Sequence, residues 1–160
     1  MKPRPETPRE IAEVLRSVKR IALVGASDKP VRASFIVMKY MLGKGYDVIP
    51  VNPGLAGGEI LGQSVYARLK DIPGTVDMVD IFRNAEAAGP ITDEAIEIGA
   101  KVVWMQLGIV NEEAAARAVA AGLSVVMDRC PKIEYGRLSG ESGFAGIRSN
   151  IISAKRDKLL

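Results

Sequence analysis

Short apolar runs rich in β-branched residues recur along the chain from residue 21, and segments with helical periodicity separate them. Near-continuous apolar strands that alternate with helices are typical of a parallel sheet covered on both faces. The pattern predicts an α/β fold of the Rossmann-like, doubly wound type with a five-stranded parallel sheet. The predicted strands are 21–24, 46–51, 76–82, 102–105 and 123–127. The predicted helices between them are roughly 32–43, 65–70, 90–98 and 112–121.

The two ends of the chain fall outside this alternation. Thr7 and Glu10 fit a capping box, and apolar residues follow at helical spacing, which predicts an N-terminal helix over 7–19. Residues 131–160 contain several glycines and no long periodic run, so we expect an irregular C-terminal tail there. Because no internal repeat or linker divides the sequence, we expect a single domain over 1–160.

Ligands of doubly wound sheets bind at the carboxyl ends of the strands, so the loops after the strands are candidate sites. The first loop begins with Gly25, which allows a tight turn, and its small neighbours allow the backbone to approach a phosphate. Lys29 and Arg32 add positive charge beside the next helix. The alternative is an ordinary strand-to-helix turn, which also needs glycine and small residues. The candidate diphosphate-binding residues are Gly25, Ala26, Ser27, Lys29, Pro30, Arg32 and Ser34.

This loop does not match the dinucleotide fingerprint G-x-G-x-x-G, because Ser27 and Pro30 occupy the second and third glycine positions. NAD-binding proteins also place an acid after the second strand, where it bonds the ribose 2′-hydroxyl. Here no acid ends that strand, and no arginine follows until Arg68, so neither NAD nor NADP finds its usual ribose partner. An NAD(P)-dependent oxidoreductase is therefore the disfavoured alternative.

Later loops add further candidates. Val51, Asn52 and Pro53 open a long loop rich in glycine and proline, which would line an adenine with apolar atoms or form a surface connection. Gln106 and Gly108 follow the fourth strand, where an amide beside a glycine fits either a ligand contact or a simple turn. These five residues join the candidate site.

The composition, 48% apolar and 26% charged, is that of an ordinary soluble globular protein. No apolar run approaches the roughly 18 residues that span a membrane, so we expect no membrane partner. The single cysteine cannot form an intramolecular disulfide, and the first residues lack the apolar core of a signal peptide. Both observations favour a cytoplasmic protein.

The net charge of +3 does not indicate a nucleic-acid binder. Residues 1–20 carry a net charge of +3 and residues 129–160 carry +4, whereas residues 21–128 carry −4. A duplex binder should instead show its positive charge as a patch on the folded body, so we expect no nucleic-acid partner. The chain contains no histidine, which removes the usual general base and the usual transition-metal ligand, and we expect no metal site.

Five ordered blocks of sequence carry a family resemblance. They are GAS at 25–27, PVRAS at 30–34, YDVIPVNP at 46–53, VWMQLG at 103–108 and DRCPKIE at 128–134. In order and spacing they resemble the stand-alone CoA-binding domain proteins, which are similar in turn to the N-terminal domain of the succinyl-CoA synthetase α subunit. The resemblance implies coenzyme A as the small-molecule nucleotide cofactor. It also implies contact between the nucleotide and Phe82, Arg83 and Asn84, although Arg83 alone also fits a surface cation.

The same resemblance limits the expected activity. The synthetase carries a lysine near the CoA phosphates where this chain has Leu55. Its second domain, with the phosphorylated histidine, has no counterpart here, so acyl-CoA synthesis by that mechanism is not expected. We expect a non-catalytic carrier, sensor or regulatory protein that binds CoA or an acyl-CoA, with a homo-oligomer or a protein partner as an open alternative. A CoA-binding subunit of a split acyl-CoA ligase is another alternative.

A redox-sensing repressor is a rival interpretation, since some repressors share this nucleotide-binding domain. The 20 residues before the first strand are too few for a winged helix that enters the major groove.

Cys130 completes the candidate residues. It follows the fifth strand beside Arg129, whose guanidinium favours the thiolate form of a nearby cysteine. The resemblance places this loop toward the reactive arm of the cofactor, which leads to the hypothesis of a mixed disulfide between Cys130 and the CoA thiol. That hypothesis requires an accessible Cys130, and the alternative is a small buried residue beside Pro131.

Overall fold

A computed structural model describes residues 1–140 and Leu159. The strands in chain order are β1 (Arg20–Val24), β2 (Asp47–Val51), β3 (Glu59–Ile60), β4 (Gln63–Ser64), β5 (Met78–Ile81), β6 (Val102–Met105) and β7 (Ser124–Val126). Five of them form one parallel sheet in the order β2-β1-β5-β6-β7, and β3 and β4 form a small antiparallel hairpin. The predicted fold class, a Rossmann-like five-stranded parallel sheet, is confirmed.

Helices cover both faces of this sheet. They are α1 (Pro8–Ser17), α2 (Ala33–Gly43), α3 (Ala85–Glu97), α4 (Glu112–Ala120) and α5 (Pro131–Leu138). The predicted capping box of α1 is present, because the Thr7 side chain accepts the Glu10 N–H and the Glu10 carboxylate accepts the Thr7 N–H. None of the helices in the described part of the chain is long and apolar enough to cross a membrane.

Successive residues of each strand point to opposite faces, so the sheet separates two apolar cores. On one face, α1, α2 and α5 pack over a cluster that includes Leu23, Met78 and Trp104. On the other face, α3 and α4 pack over a cluster that includes Val79 and Met105. The continuous apolar strands of the sequence are therefore explained by burial on both sides.

The register of the sheet aligns the ends of three neighbouring strands at one edge. Val24 of β1 pairs with Val51 of β2 on one side and with Ile81 of β5 on the other. These three strands consequently end at the same level, and the loops that follow them leave the sheet together.

The structure corrects three sequence predictions. The predicted irregular tail 131–160 begins with a helix, α5, whose first residue Pro131 presets a helical φ and whose Tyr135 is fully buried. The rest of that tail, 141–158 and 160, lies outside the described residues. The predicted helix 65–70 is wrong, because Tyr66 forms a parallel bridge with Val51 and a short 3₁₀ turn, Leu69–Asp71, follows it. The third helix begins at Ala85, well before the predicted residue 90.

Candidate functional site

A pocket of about 670 Å³ opens at the carboxyl ends of β1, β2 and β5. The chain leaves β1 for β2 on one side and later returns to β5 on the other side, so the loops after β1 and β5 diverge at this point. Such a switch point is where doubly wound sheets form a ligand crevice. The pocket volume lies in the range of small-molecule sites, roughly 300–1,000 Å³.

Gly25 forms the turn at the centre of the pocket. Its φ of 90° lies in the left-handed region, and its N–H donates to the Val51 carbonyl oxygen at 3.0 Å. A Cβ atom at this position would stand 3.0 Å from the Phe82 carbonyl oxygen and 3.1 Å from Cδ of Arg83. Glycine is therefore required both by the backbone conformation and by the closeness of the loop after β5.

The loop that follows leads into the N-terminus of α2, at the pocket wall. Arg32 occupies the N-cap position, and its side chain makes no capping hydrogen bond. Ala33 and Ser34, the first residues of the helix, line the pocket. The N–H groups of a first helical turn have no partner inside the helix and present partial positive charge, which suits an anion.

Asn52 joins the loops after β1 and β2. Its side-chain amide donates to the Ala26 carbonyl oxygen at 2.8 Å, and its side-chain oxygen accepts the Gly54 N–H at 2.8 Å. Val51 and Pro53, on either side of Asn52, add apolar surface to the pocket. Through these two hydrogen bonds, Asn52 fixes the loops after β1 and β2 relative to each other.

Positive side chains dominate the charge of the pocket. Lys29, Arg32, Arg68 and Arg83 line it, and Glu94 is the one carboxylate among its lining residues. The Glu94 carboxylate accepts the backbone N–H of Lys70 at 3.2 Å. Four cations around one concave surface attract a multiply charged anion.

The structure brings most of the predicted site residues together. The pocket is lined by Gly25, Ala26, Ser27, Lys29, Arg32, Ser34, Val51, Asn52, Pro53, Phe82 and Arg83. Five predicted residues lie outside this lining: Pro30, Asn84, Gln106, Gly108 and Cys130.

Asn84, Gly108 and Cys130 each have a defined place in the structure outside the pocket. The Asn84 side chain caps α3 by accepting the Ala87 N–H at 2.8 Å. Gly108 donates its N–H to the Asp128 carboxylate at 2.7 Å. Cys130 is only 6% exposed and occupies the N-cap position of α5, so the accessible thiol that a mixed disulfide requires is not present in this structure.

Two buried polar groups lie near the same edge of the sheet. Gln106 is buried, and its side-chain Oε1 has no hydrogen-bond partner among the described residues. Asp80, on β5, is also buried, and its Oδ1 has no partner within that part of the chain. Burial raises the pKa of the Asp80 carboxyl well above its ordinary value, because the charged form loses its hydration.

Sequence reasoning missed several lining residues. They are Val24, Ala33, Ala67, Arg68, Leu69, Ile91 and Glu94. Arg68 is absent from the sequence-predicted set because it lies far along the chain from the second strand. The β3–β4 hairpin folds the chain back, however, and a parallel bridge between Val51 and Tyr66 returns it to the end of β2. A basic side chain is a recognisable feature of an anion-binding site. The sequence separation between Arg68 and β2, however, gave no indication that Arg68 lies at the pocket.

A doubly wound parallel sheet with a cationic pocket at its switch point defines a Rossmann-like α/β protein. The model of the CoA binding domain family matches residues 19–136. The chain therefore belongs to the CoA-binding domain family. No group of three potential metal ligands occurs in the described ranges.

Comparisons with individual proteins agree with this family. An uncharacterized protein of Bacillus subtilis, YneT, is 44% identical over 126 residues, which cover 79% of this chain and 92% of YneT. The solved structure of a hypothetical protein from Pyrococcus horikoshii is 46% identical, with a TM-score of 0.80 over 83% of this chain and 92% of that one.

The chain is also homologous to part of a ligase. The alpha subunit of an ADP-forming acetate–CoA ligase from Pyrococcus furiosus is 36% identical over 97 residues, or 57% of this chain. The match spans 21% of that subunit, about a fifth of its length.

Proposed function

We propose that this protein binds coenzyme A, or an acyl-CoA, in the pocket at the ends of β1, β2 and β5. The observation that carries the proposal is the Gly25 turn, where a positive φ and the absence of space for a Cβ coincide with the N-terminus of α2. The backbone can approach a diphosphate closely there, and Lys29 and Arg32 add full charges. Membership of the CoA-binding domain family supports the choice of ligand.

In this proposal, the loops after β1, β2 and β5 contact different parts of the ligand. In the proposed complex, the loop from Gly25 to Ser34 holds the diphosphate, and Val51 and Pro53 offer apolar surface to the adenine. Arg83 after β5 adds a cation beside the Gly25 turn, since its Cδ would lie 3.1 Å from a Cβ placed on Gly25. The pantetheine arm would then extend along the edge of the sheet toward Gln106 and Cys130.

The role that fits this pocket is that of a carrier, sensor or regulatory protein. Its titratable lining groups are four cations and Glu94, and the Glu94 carboxylate already accepts a backbone N–H from Lys70. The ammonium and guanidinium groups suit the binding of an anion, and the carboxylate of the lining is engaged with the backbone. We therefore propose binding without a catalytic group.

A second candidate is the CoA-binding component of a split acyl-CoA ligase. The observation that favours it is the 36% identity to the alpha subunit of the Pyrococcus furiosus ligase, of which this chain spans about a fifth. A separate protein would then supply the remaining chemistry. Copurification of a tagged chain with such a protein, together with acyl-CoA formation by the pair and not by either part, would establish this candidate.

Thermal unfolding with added nucleotides tests the primary proposal. We expect CoA to raise the melting temperature more than NAD or NADP at equal concentration, because a ligand that binds only the native state stabilises it. Mass spectrometry of the small molecules released from freshly purified protein would identify a retained ligand. A larger thermal shift with NAD would overturn the assignment.

A further inference from the structure

Arg68 lines the pocket although it lies 16 residues beyond Asn52 in the sequence. The chain between them folds into the β3–β4 hairpin and returns beside β2. There the Tyr66 N–H donates to the Pro50 carbonyl oxygen at 3.1 Å, and the Asn52 N–H donates to the Tyr66 carbonyl oxygen at 2.9 Å. Tyr66 thus extends the sheet next to β2, and Arg68 follows two residues later at the same edge.

A neighbouring carboxylate orients the guanidinium of Arg68 but does not occupy all of its hydrogen-bond donors. Asp71, in the same 3₁₀ turn, accepts from Nε at 3.5 Å and from Nη2 at 3.4 Å. An arginine carries five N–H donors in a rigid fork, so three donors remain outside this pair. The Arg68 side chain is 57% exposed, which leaves it accessible at the mouth of the pocket. Asp71 therefore acts as a positioning residue.

The four cations of the pocket fall into two groups. Lys29, Arg32 and Arg83 belong to the loops after β1 and β5, around the Gly25 turn. Arg68 belongs to a different connection, the one that follows β2 and returns beside it at Tyr66. In doubly wound folds, the residues beyond the second strand face the ribose of the bound nucleotide, while the first loop faces the diphosphate. Cations supplied by different connections of the fold fit a ligand that carries phosphate at two places.

We propose that Arg68 binds a phosphomonoester on the ribose of the bound adenine nucleotide and makes the pocket selective for nucleotides that carry one. This inference rests on the proposed function, since CoA carries such a group at its 3′ position. NADP also carries a phosphomonoester on its ribose, at the 2′ position, so the affinities for CoA and NADP must be compared. A phosphomonoester is dianionic, and the planar guanidinium fork matches two of its oxygens.

The geometry limits the size of the effect. An exposed cation at the mouth of a pocket is screened by water and salt, so its contribution is smaller than that of a buried pair. We expect the loss of Arg68 to weaken binding of the phosphorylated nucleotide on the order of tenfold, with a smaller loss at high salt. A lysine at this position retains the charge but not the fork, so it should restore part of the affinity.

Calorimetric titrations of CoA, 3′-dephospho-CoA, NADP and NAD into the wild type and three variants test the inference. The variants are Arg68→Ala, Arg68→Lys and Lys70→Ala, the last as a matched control. Lys70 lies in the same turn, is exposed and does not line the pocket. Since Arg68 is a surface residue whose described contact is the Asp71 pair, all variants should keep the melting temperature of the wild type.

The expected result is that Arg68→Ala loses about tenfold in affinity for CoA and keeps its affinity for 3′-dephospho-CoA, while Lys70→Ala changes neither. An equal loss for both ligands, or no loss for either, would overturn the role of Arg68. If the wild type binds neither form of CoA, the proposed function fails. If the wild type binds NADP more tightly than CoA, and Arg68→Ala weakens the binding of NADP, the assignment of CoA fails while the role of Arg68 stands.

Discussion

Both halves of the carboxyl edge of the sheet consist of loops that follow parallel strands. The arrangement of these loops differs between the two halves. Around β1, β2 and β5, the loops after the strands separate and enclose the pocket. Around β6 and β7, hydrogen bonds join the two connections: the Gly108 N–H donates to Asp128 at 2.7 Å, and the indole N–H of Trp104, on β6, donates to the Arg129 carbonyl oxygen at 2.7 Å. In the second half, these polar groups are therefore paired within the protein.

The topology explains this difference. Between β1 and β5 the order of the strands reverses, so neighbouring loops lead in opposite directions and leave a crevice. From β5 to β6 to β7 each strand is added on the same side, and neighbouring loops run alongside each other. Glycines with positive φ occur in both halves, at Gly25 and Gly108. A glycine-containing loop after a strand is therefore not by itself a sign of a binding site.

The largest expected effect comes from placing the same bulky residue in each half. Gly25→Val should abolish CoA binding, because its side chain would meet the Phe82 carbonyl oxygen and block the approach of a phosphate. Gly108→Val is the matched control, because its φ is also positive, 79°, but a Cβ there meets no atom within 4 Å. Both variants should lose roughly 1–2 kcal/mol of stability from the left-handed backbone, Gly25→Val should lose more because of its contact with Phe82, and Gly108→Val should still bind.

Titration calorimetry on the folded variants, checked by circular dichroism, measures this contrast. A folded Gly25→Val variant with the affinity of the wild type would exclude the first loop as the site. Should Gly25→Val fail to fold, Gly25→Ala provides a smaller test of the same contact.

A smaller effect is expected from the basic side chains at the helix starts of the two halves. Arg32→Ala should weaken CoA binding by about 1–3 kcal/mol, because charge-assisted hydrogen bonds to the diphosphate are lost. Lys132→Ala, in the first turn of α5, removes a cation whose described contact is the ring of Tyr40 at 5.0 Å. Lys132→Ala should leave the affinity unchanged. Equal losses from both variants, measured at one salt concentration, would mean that only the overall charge attracts the ligand.

The smallest expected effect concerns Asp80, on the strand that separates the two halves. Because burial raises the pKa of Asp80 in the folded protein, the native state binds a proton that the unfolded state releases. The associated stability is fully present below the ordinary carboxyl pKa and decreases as the pH rises toward the folded value. Asp80→Asn should lack this decrease and should be more stable than the wild type at pH 7, by up to about 1 kcal/mol.

Urea unfolding of wild type and Asp80→Asn between pH 4 and pH 8 measures this difference. If the free energies of unfolding of the two proteins follow parallel curves over that range, Asp80 does not carry a raised pKa.

Local sequence was sufficient for much of the architecture. Thr7 and Glu10 predicted the start of α1, and the β-branched runs predicted all five strands of the main sheet. Gly25 was predicted to need unusual backbone freedom, and its φ of 90° confirms this. These features depend on contacts between near neighbours in the chain or on the alternation of apolar residues, and both can be read from a single sequence.

A single sequence was therefore enough to predict the fold class, the family resemblance and the first loop of the candidate site. The tertiary structure alone decided which loops share the pocket: the β3–β4 hairpin brings in Arg68, and α3 brings in Glu94, while Gly108 and Cys130 lie outside the lining. The physical reason is that a pocket depends on the spatial order of the strands and on the return path of a connection. These are set by packing between residues far apart in sequence, which no local pattern records.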